Sequence, residues 1–167
     1  TSLIPTASGQ VIRNQDLFTR DGIGSLINSS EGVLFIEMAA LSNAGGTREI
    51  SLSDGTSSNR VEIRYSSVPN KIQGLVRVGG AIQANLSTIV SDITDFSKIA
   101  FKWKTNDFSF WVDGVEVAID TSGAHPTGLN RLALDKGIQS DIFFGKVRQL
   151  QVYKTALTDT QLAALTS

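Results

Sequence analysis

Hydrophobic and polar residues alternate along most of the chain with a period of two. Val61, Ile63 and Tyr65 alternate with Arg60, Glu62 and Arg64, which predicts a strand with one buried and one wet face. In "KIAFKWK" (98–104), Ile99, Phe101 and Trp103 fall on one face and Lys98, Lys102 and Lys104 on the other. "GVLFIEMAAL" (32–41) is apolar on both faces, which suits a central strand between two sheets or under a loop. Further strands are predicted over 11–18, 48–53, 72–78, 81–87, 130–134 and 142–153.

Turn residues separate these runs. "SDGTSSN" (53–59) joins two strands, "VPNK" (68–71) ends the second, "VGGA" (78–81) reads as a Gly-Gly hairpin, and "TND" (105–107) turns a lysine-rich strand back. In "DFSFWVDGVEV" (107–117), Asp113-Gly114 is a two-residue type I′ turn signal. That turn sets Val112 opposite Val115, Trp111 opposite Glu116 and Phe110 opposite Val117. Phe108, Phe110, Val112, Val115, Val117 and Ile119 then share a core face, while Trp111 and Glu116 share the other. The end of the chain changes period. Thr158 is the expected N-cap of a helix over 157–165, with Gln161 closing a capping box and Leu157 stapled onto Leu162. Asp159 suits the first turn of that helix, which reads as a terminal plug on the sandwich.

Short strands with frequent turns predict an all-β fold, a β-sandwich or jelly roll. The length of 167 residues is ordinary for one such domain and can bury a sizeable core. Residues 1–10 are small and polar and read as a connector, with a single domain over 11–167. The first residue is Thr1 and the sole methionine is Met38, so the chain reads as a piece of a longer protein. A net charge of −1 gives no electrostatic reason to expect nucleic acid or an anionic membrane. No apolar run approaches the roughly 20 residues that span a bilayer. The absence of cysteine excludes disulfides, thiolate metal sites and cysteine nucleophiles.

Acidic residues beside a tryptophan raise the question of sugar chemistry. A glycosidase needs two carboxyls flanking one bond, and sandwich glucanases carry them on one strand in a Glu-x-Asp-x-x-Glu pattern. No such run occurs: Glu37 stands alone in its strand, Glu62 alternates with arginines, and Asp113 is a turn residue. Trp111, on the face away from the core, is the candidate stacking platform for a sugar; coverage by a second layer or loop is the commoner fate of such a tryptophan. His125, the only histidine, lies in the loop "GAHPTG" and lacks the partners for a zinc site or a catalytic triad. In "DGTSSN" (54–59), Asp54 and Asn59 are the positions that would supply calcium ligands, although a polar hairpin turn explains the composition. The lysine stripe 98/102/104 fits a solvated strand face. Asn28-Ser29-Ser30 and Asn85-Leu86-Ser87 match the glycosylation acceptor pattern, which matters in a eukaryotic secreted protein.

The segments "NDFSFWVDGVEVAIDTSG", "NRLALDKG" and "FFGKVRQLQVYKTALTDTQLAAL" resemble the concanavalin A-like lectin/glucanase superfamily in its laminin-G-like branch. "FTRDGIGSLINSSEGVLFIEM" and "ISLSDGTSSNRVEI" are similar to versions of this domain in bacteriophage tail and appendage proteins. The resemblance covers most of residues 12–165. It implies a concanavalin A-like sandwich of two antiparallel sheets with a short C-terminal helix. The function it implies is non-catalytic, lectin-like glycan binding for adhesion, on a virion surface or otherwise outside the cell. Calcium occurs in some laminin-G-like members; here no full ligand set matches, so calcium stays an open cofactor, with Asp54 and Asn59 its candidate ligands. The expected contacts are Trp111 as platform, Glu116 or Asp107, and the loop residues Asn106 and His125. A structural or oligomerisation module of a fibre is the alternative, with homo-oligomerisation in the parent protein, and a glycoside hydrolase comes third.

Overall fold

The computed structural model describes residues 17–43 and 45–167. Eleven strands are seen among them: β1 (Thr19–Arg20), β2 (Glu31–Ala40), β3 (Arg48–Ser53), β4 (Arg60–Tyr65), β5 (Lys71–Val78), β6 (Ala81–Ile89), β7 (Ser97–Lys104), β8 (Phe108–Val112), β9 (Val115–Asp120), β10 (Arg131–Ala133) and β11 (Gly145–Tyr153). A 3-10 turn covers Gly24–Leu26, and one helix, α1 (Asp159–Thr166), ends the chain. The strands form two antiparallel sheets, ordered β1-β10-β3-β4-β5-β6 and β11-β2-β7-β8-β9. The chain crosses between them after β1, β2, β6, β9 and β10, giving the all-β sandwich that the alternation predicts.

The core lies between the sheets. Leu34, Ile36 and Met38 of β2 and Ile99, Phe101 and Trp103 of β7 meet Ile50, Leu52, Val61, Ile63 and Tyr65 of the opposite sheet. Gly74 of β5 leaves room for the Phe101 ring, whose Cγ would lie 2.9 Å from a Cβ at that position. The two outer faces are covered differently. On the five-stranded sheet, Val33, Phe35, Ala100 and Trp111 pack against Leu162 of α1. This explains why β2 is apolar on both faces. Thr158 caps α1 with a full capping box, and Leu157 joins the same cluster as Leu162. On the six-stranded sheet, residues 135–141 lie against β3: Ser51 Oγ donates to the Asp135 carbonyl (2.7 Å) and the Glu49 amide to the Asp141 carbonyl (2.9 Å).

Turn chemistry holds where the sequence places it. Asp113 and Gly114 have φ of +49° and +83°, as a type I′ turn requires, and Gly79-Gly80 and Asn106 also adopt positive φ. Three expectations need correction. The predicted strand 11–18 falls mostly outside the described residues, and Leu17 and Phe18 precede β1 without joining it. The last strand begins at Gly145 rather than 142, because Gln139 and Asp141 take positive φ and fold the preceding loop back, with Ile142 bridging Glu49 in parallel. In the 108–120 hairpin a bulge sets Phe110 opposite Ala118 instead of Val117. Ile119 therefore pairs with Ser109 and stays exposed, as does Val115 on this edge strand. Residues 1–10, read as a connector, lie outside the described residues.

Candidate functional site

Trp111 is not a stacking platform. It does face away from the core opposite Glu116, but it is only 7% exposed, lying under α1 with its indole N–H donating to Ser109 Oγ (3.1 Å). The buried ring and its satisfied N–H are what a structural tryptophan needs. Asp113 is confirmed as a turn residue: its Oδ1 accepts from the Lys98 amide (2.8 Å), and the Gly114 amide donates to Thr166 Oγ1 at the helix end (3.1 Å). The lysines of the stripe are partnered in place. Lys102 Nζ lies 2.7 Å from Asp107 and 3.9 Å from Asp159, and Lys98 Nζ donates to the Ser167 carbonyl. Asp107 is thus committed to Lys102, and Glu116 stands exposed on the edge strand β9.

The remaining two expected contacts converge on the loops at one end of the five-stranded sheet. Asn106 turns the chain between β7 and β8 and accepts from the Gly123 amide (3.0 Å), while its own amide donates to the Gly123 carbonyl (3.0 Å). This double tie positions the 121–128 loop, and with it His125. His125 Nδ1 then meets Thr105 Oγ1 at 2.7 Å. Around them Asn28, Ser30, Glu31, Lys104, Thr105 and His125 line an open cleft of about 370 Å³. Glu31 and Lys104 are register partners on adjacent strands, and their charged groups lie 3.3 Å apart. Asn28 shapes the other wall, accepting from the Ser30 amide (3.1 Å) and donating to the Lys154 carbonyl (3.0 Å). The cleft offers an imidazole, two hydroxyls, a carboxylate and an ammonium, and none of its lining residues is Phe, Tyr or Trp.

Glu31 and Lys104 carried no signal as a pair in the sequence. They meet only because β2 and β7, far apart in the chain, are neighbours with a fixed register. A second charged group lies on the outer face of the six-stranded sheet. There Glu49 faces Arg64 across the β3–β4 pair, and Glu62 sits next along, opposite Ser51. Glu62 pairs with Arg60, and Arg64 Nη1 lies 3.1 Å from Glu49 and 3.3 Å from Glu62. Burial, reinforced by the neighbouring Glu62 carboxylate, pushes the Glu49 carboxyl up to about 7. Two carboxyls therefore do lie together, but both side chains are fully buried and ion-paired, so this is no acid/base pair open to a glycosidic bond.

The loop proposed for calcium satisfies itself. Asp54 Oδ1 accepts from the Thr56 amide (2.8 Å) and hydroxyl (2.6 Å), and Oδ2 accepts from Asn59 Nδ2 (2.9 Å). Partial burial pushes the Asp54 carboxyl up, but these hydrogen bonds outweigh it and hold it below the usual carboxylate range. Asn59 is likewise engaged, its Oδ1 accepting from the Gly79 amide (3.0 Å). Among the described residues no group of three or more His, Asp or Glu side chains could hold a metal ion.

No protein-family model matches the chain, and no curated protein matches it in sequence. Its fold is shared by solved structures. The CBM40 of the Ruminococcus gnavus IT-sialidase, bound to α2,3-sialyllactose, superposes with a TM-score of 0.70 at 18% identity, covering 86% of both chains. Domain 4 of AbnA, a GH43 extracellular arabinanase from Geobacillus stearothermophilus in complex with arabinotriose, gives a TM-score of 0.68 at 16% identity over 88% of this chain and 70% of that one. The NanB sialidase from Streptococcus pneumoniae gives 0.69 at 15% identity, covering 90% of this chain but 27% of the enzyme. The likeness at these identities is one of fold.

Proposed function

We propose that this chain is a non-catalytic carbohydrate-binding domain and that its glycan sits in the cleft between the 28–31, 104–105 and 125 segments. The observation that carries this reading is the convergence of four kinds of polar group on one open cleft at the loop end of the sandwich. A sugar site needs a few fixed polar groups, and here the Asn106–Gly123 ties and the Glu31–Lys104 register fix them. The fold shared with CBM40 and with the arabinotriose-bound AbnA domain supports the same reading. The residue-level similarity to phage tail and appendage domains supports a setting on a virion surface or outside the cell, with adhesion as the task. His125 is the contact we assign first, because its Nδ1 is held by Thr105 and Nε2 is left for a ligand hydroxyl.

A glycan array run in calcium and again in chelator tests this. Binding is expected in both conditions, and His125→Ala is expected to weaken it about tenfold, the cost of one well-made hydrogen bond. Hits that His125→Ala leaves unchanged would place the site elsewhere. The alternative of a fibre module is favoured by one feature, the exposed apolar strip of Leu41, Phe144 and Val147 beside β11. It predicts self-association in light scattering and an array without hits.

A further inference from the structure

The cleft holds one ammonium and one carboxylate, and they are bonded to each other. Lys104 and Glu31 sit directly opposite on β7 and β2, so the backbone register, rather than a chance rotamer, keeps them together. The neighbouring cation on the same sheet face, Lys102, is held by Asp107. Lys154, behind the Asn28 wall, donates to the Ser25 carbonyl at 3.0 Å. The guanidiniums of Arg60 and Arg64, which could grip a carboxylate in bidentate fashion, belong to the other sheet and are spent on Glu49 and Glu62. A carboxylate brought into the cleft therefore finds Lys104 already neutralised and meets Glu31 as a like charge. A neutral sugar meets no such opposition. Its hydroxyls can donate to the Glu31 carboxylate and accept from Lys104, and His125 and Ser30 can do either. With no Phe, Tyr or Trp in the lining, hydrogen bonding carries most of the recognition.

We infer that the cleft is built for neutral glycans, and that Glu31 is the residue that turns acidic ones away. This rests on the glycan-binding reading of the same cleft. Glu31 is a specificity-determining residue here: Glu31→Gln keeps the side chain's size, frees Lys104 and removes the like charge.

The test uses matched pairs of glycans, each with and without its terminal acidic sugar, lactose and 3′-sialyllactose among them. They are titrated against the full chain at low salt. The wild-type chain should prefer the neutral member of each pair. Glu31→Gln should shift the acidic-to-neutral affinity ratio about fivefold toward the acidic member, the weight of one solvent-exposed charge at about 4 Å. That shift should shrink as salt is added. Thermal unfolding of the variant provides the folding control, since Glu31 is a partly exposed side chain. Preference of the wild type for the acidic member, lost in His125→Ala, would overturn the inference and leave glycan binding intact. An unchanged ratio in Glu31→Gln would overturn the role of Glu31. Failure of the wild type to bind either member of any pair would overturn the glycan reading itself, and this inference with it.

Discussion

Glu49 gives the sharpest stability test. Its side chain is 0% exposed on the outer face of the six-stranded sheet, between Arg64 and the carboxyl of Glu62. Burial first, and the Glu62 charge second, hold its carboxyl at about 7 against an ordinary 4.5. The folded state therefore keeps a proton that the unfolded chain releases. Unfolding free energy falls as pH rises wherever the native state binds more protons. For Glu49 that window runs from about pH 4.5 to about pH 7, and ionising it across that window costs the fold about 3 kcal/mol. Glu49→Gln removes the titration while keeping the size, an acceptor for Arg64 and a donor for Glu62. Urea unfolding of both proteins between pH 4 and pH 8 isolates the effect of the Glu49 cluster, because titrating groups away from it cancel in the difference. The two should be equally stable near pH 4, and the variant should be the more stable by about 3 kcal/mol at pH 8. A difference that stays flat across the range would refute the reasoning.

The helix side gives two further tests. Trp111→Ala empties a buried site beneath α1 and should cost about 3–5 kcal/mol in chemical denaturation, while glycan binding by the folded fraction persists. Thr158→Ala removes the capping box and should cost about 1 kcal/mol. It should also loosen the cover over Trp111, which a red shift in tryptophan emission would report.

The local elements were legible because their physics is local. Alternation located the strands from β2 to β9, an Asp-Gly pair specified the turn at 113–114, and Thr158 with Gln161 marked the helix start. The hairpin bulge at Phe110/Trp111 escaped because nothing in "VDGVEVAID" marks which residue is extra. Trp111 escaped for a different reason. The turn register correctly put it on the outer face, but which element covers that face is a long-range fact. The cover, α1, begins some fifty residues later, and its apolar face gives no address. Cleft residues were half legible. His125 stood out as a loop polar residue, as did Asn106, which positions its loop, whereas Glu31 and Lys104 acquire meaning only through the β2–β7 register. Glu49 and Glu62 were within reach: placing the 53–59 turn fixes the β3–β4 register and sets both beside Arg64.

The two sheets solve one problem by opposite means, and this bears on where a ligand can bind. Each outer face must be shielded. The five-stranded sheet uses apolar packing under α1, which no pH change in the neutral range alters. The six-stranded sheet uses carboxyls, guanidiniums and the hydrogen bonds of residues 135–141, an arrangement in which each charge depends on the others. Removing Arg60 or Arg64 there strands the buried Glu62 carboxylate, at about 3–5 kcal/mol. A ligand carboxylate or hydroxyl competing for Arg60 or Arg64 would have to meet that same cost before gaining anything. Lys104 and Glu31 are partly exposed, with 52% and 28% of their side chains open to solvent, so ligand hydroxyls can reach both groups without breaking the pair. The glycan site we propose lies at the end of the helix-covered sheet, where polar groups are ordered by register but not locked by burial. The proton held by Glu49 tunes the opposite face without touching the cleft.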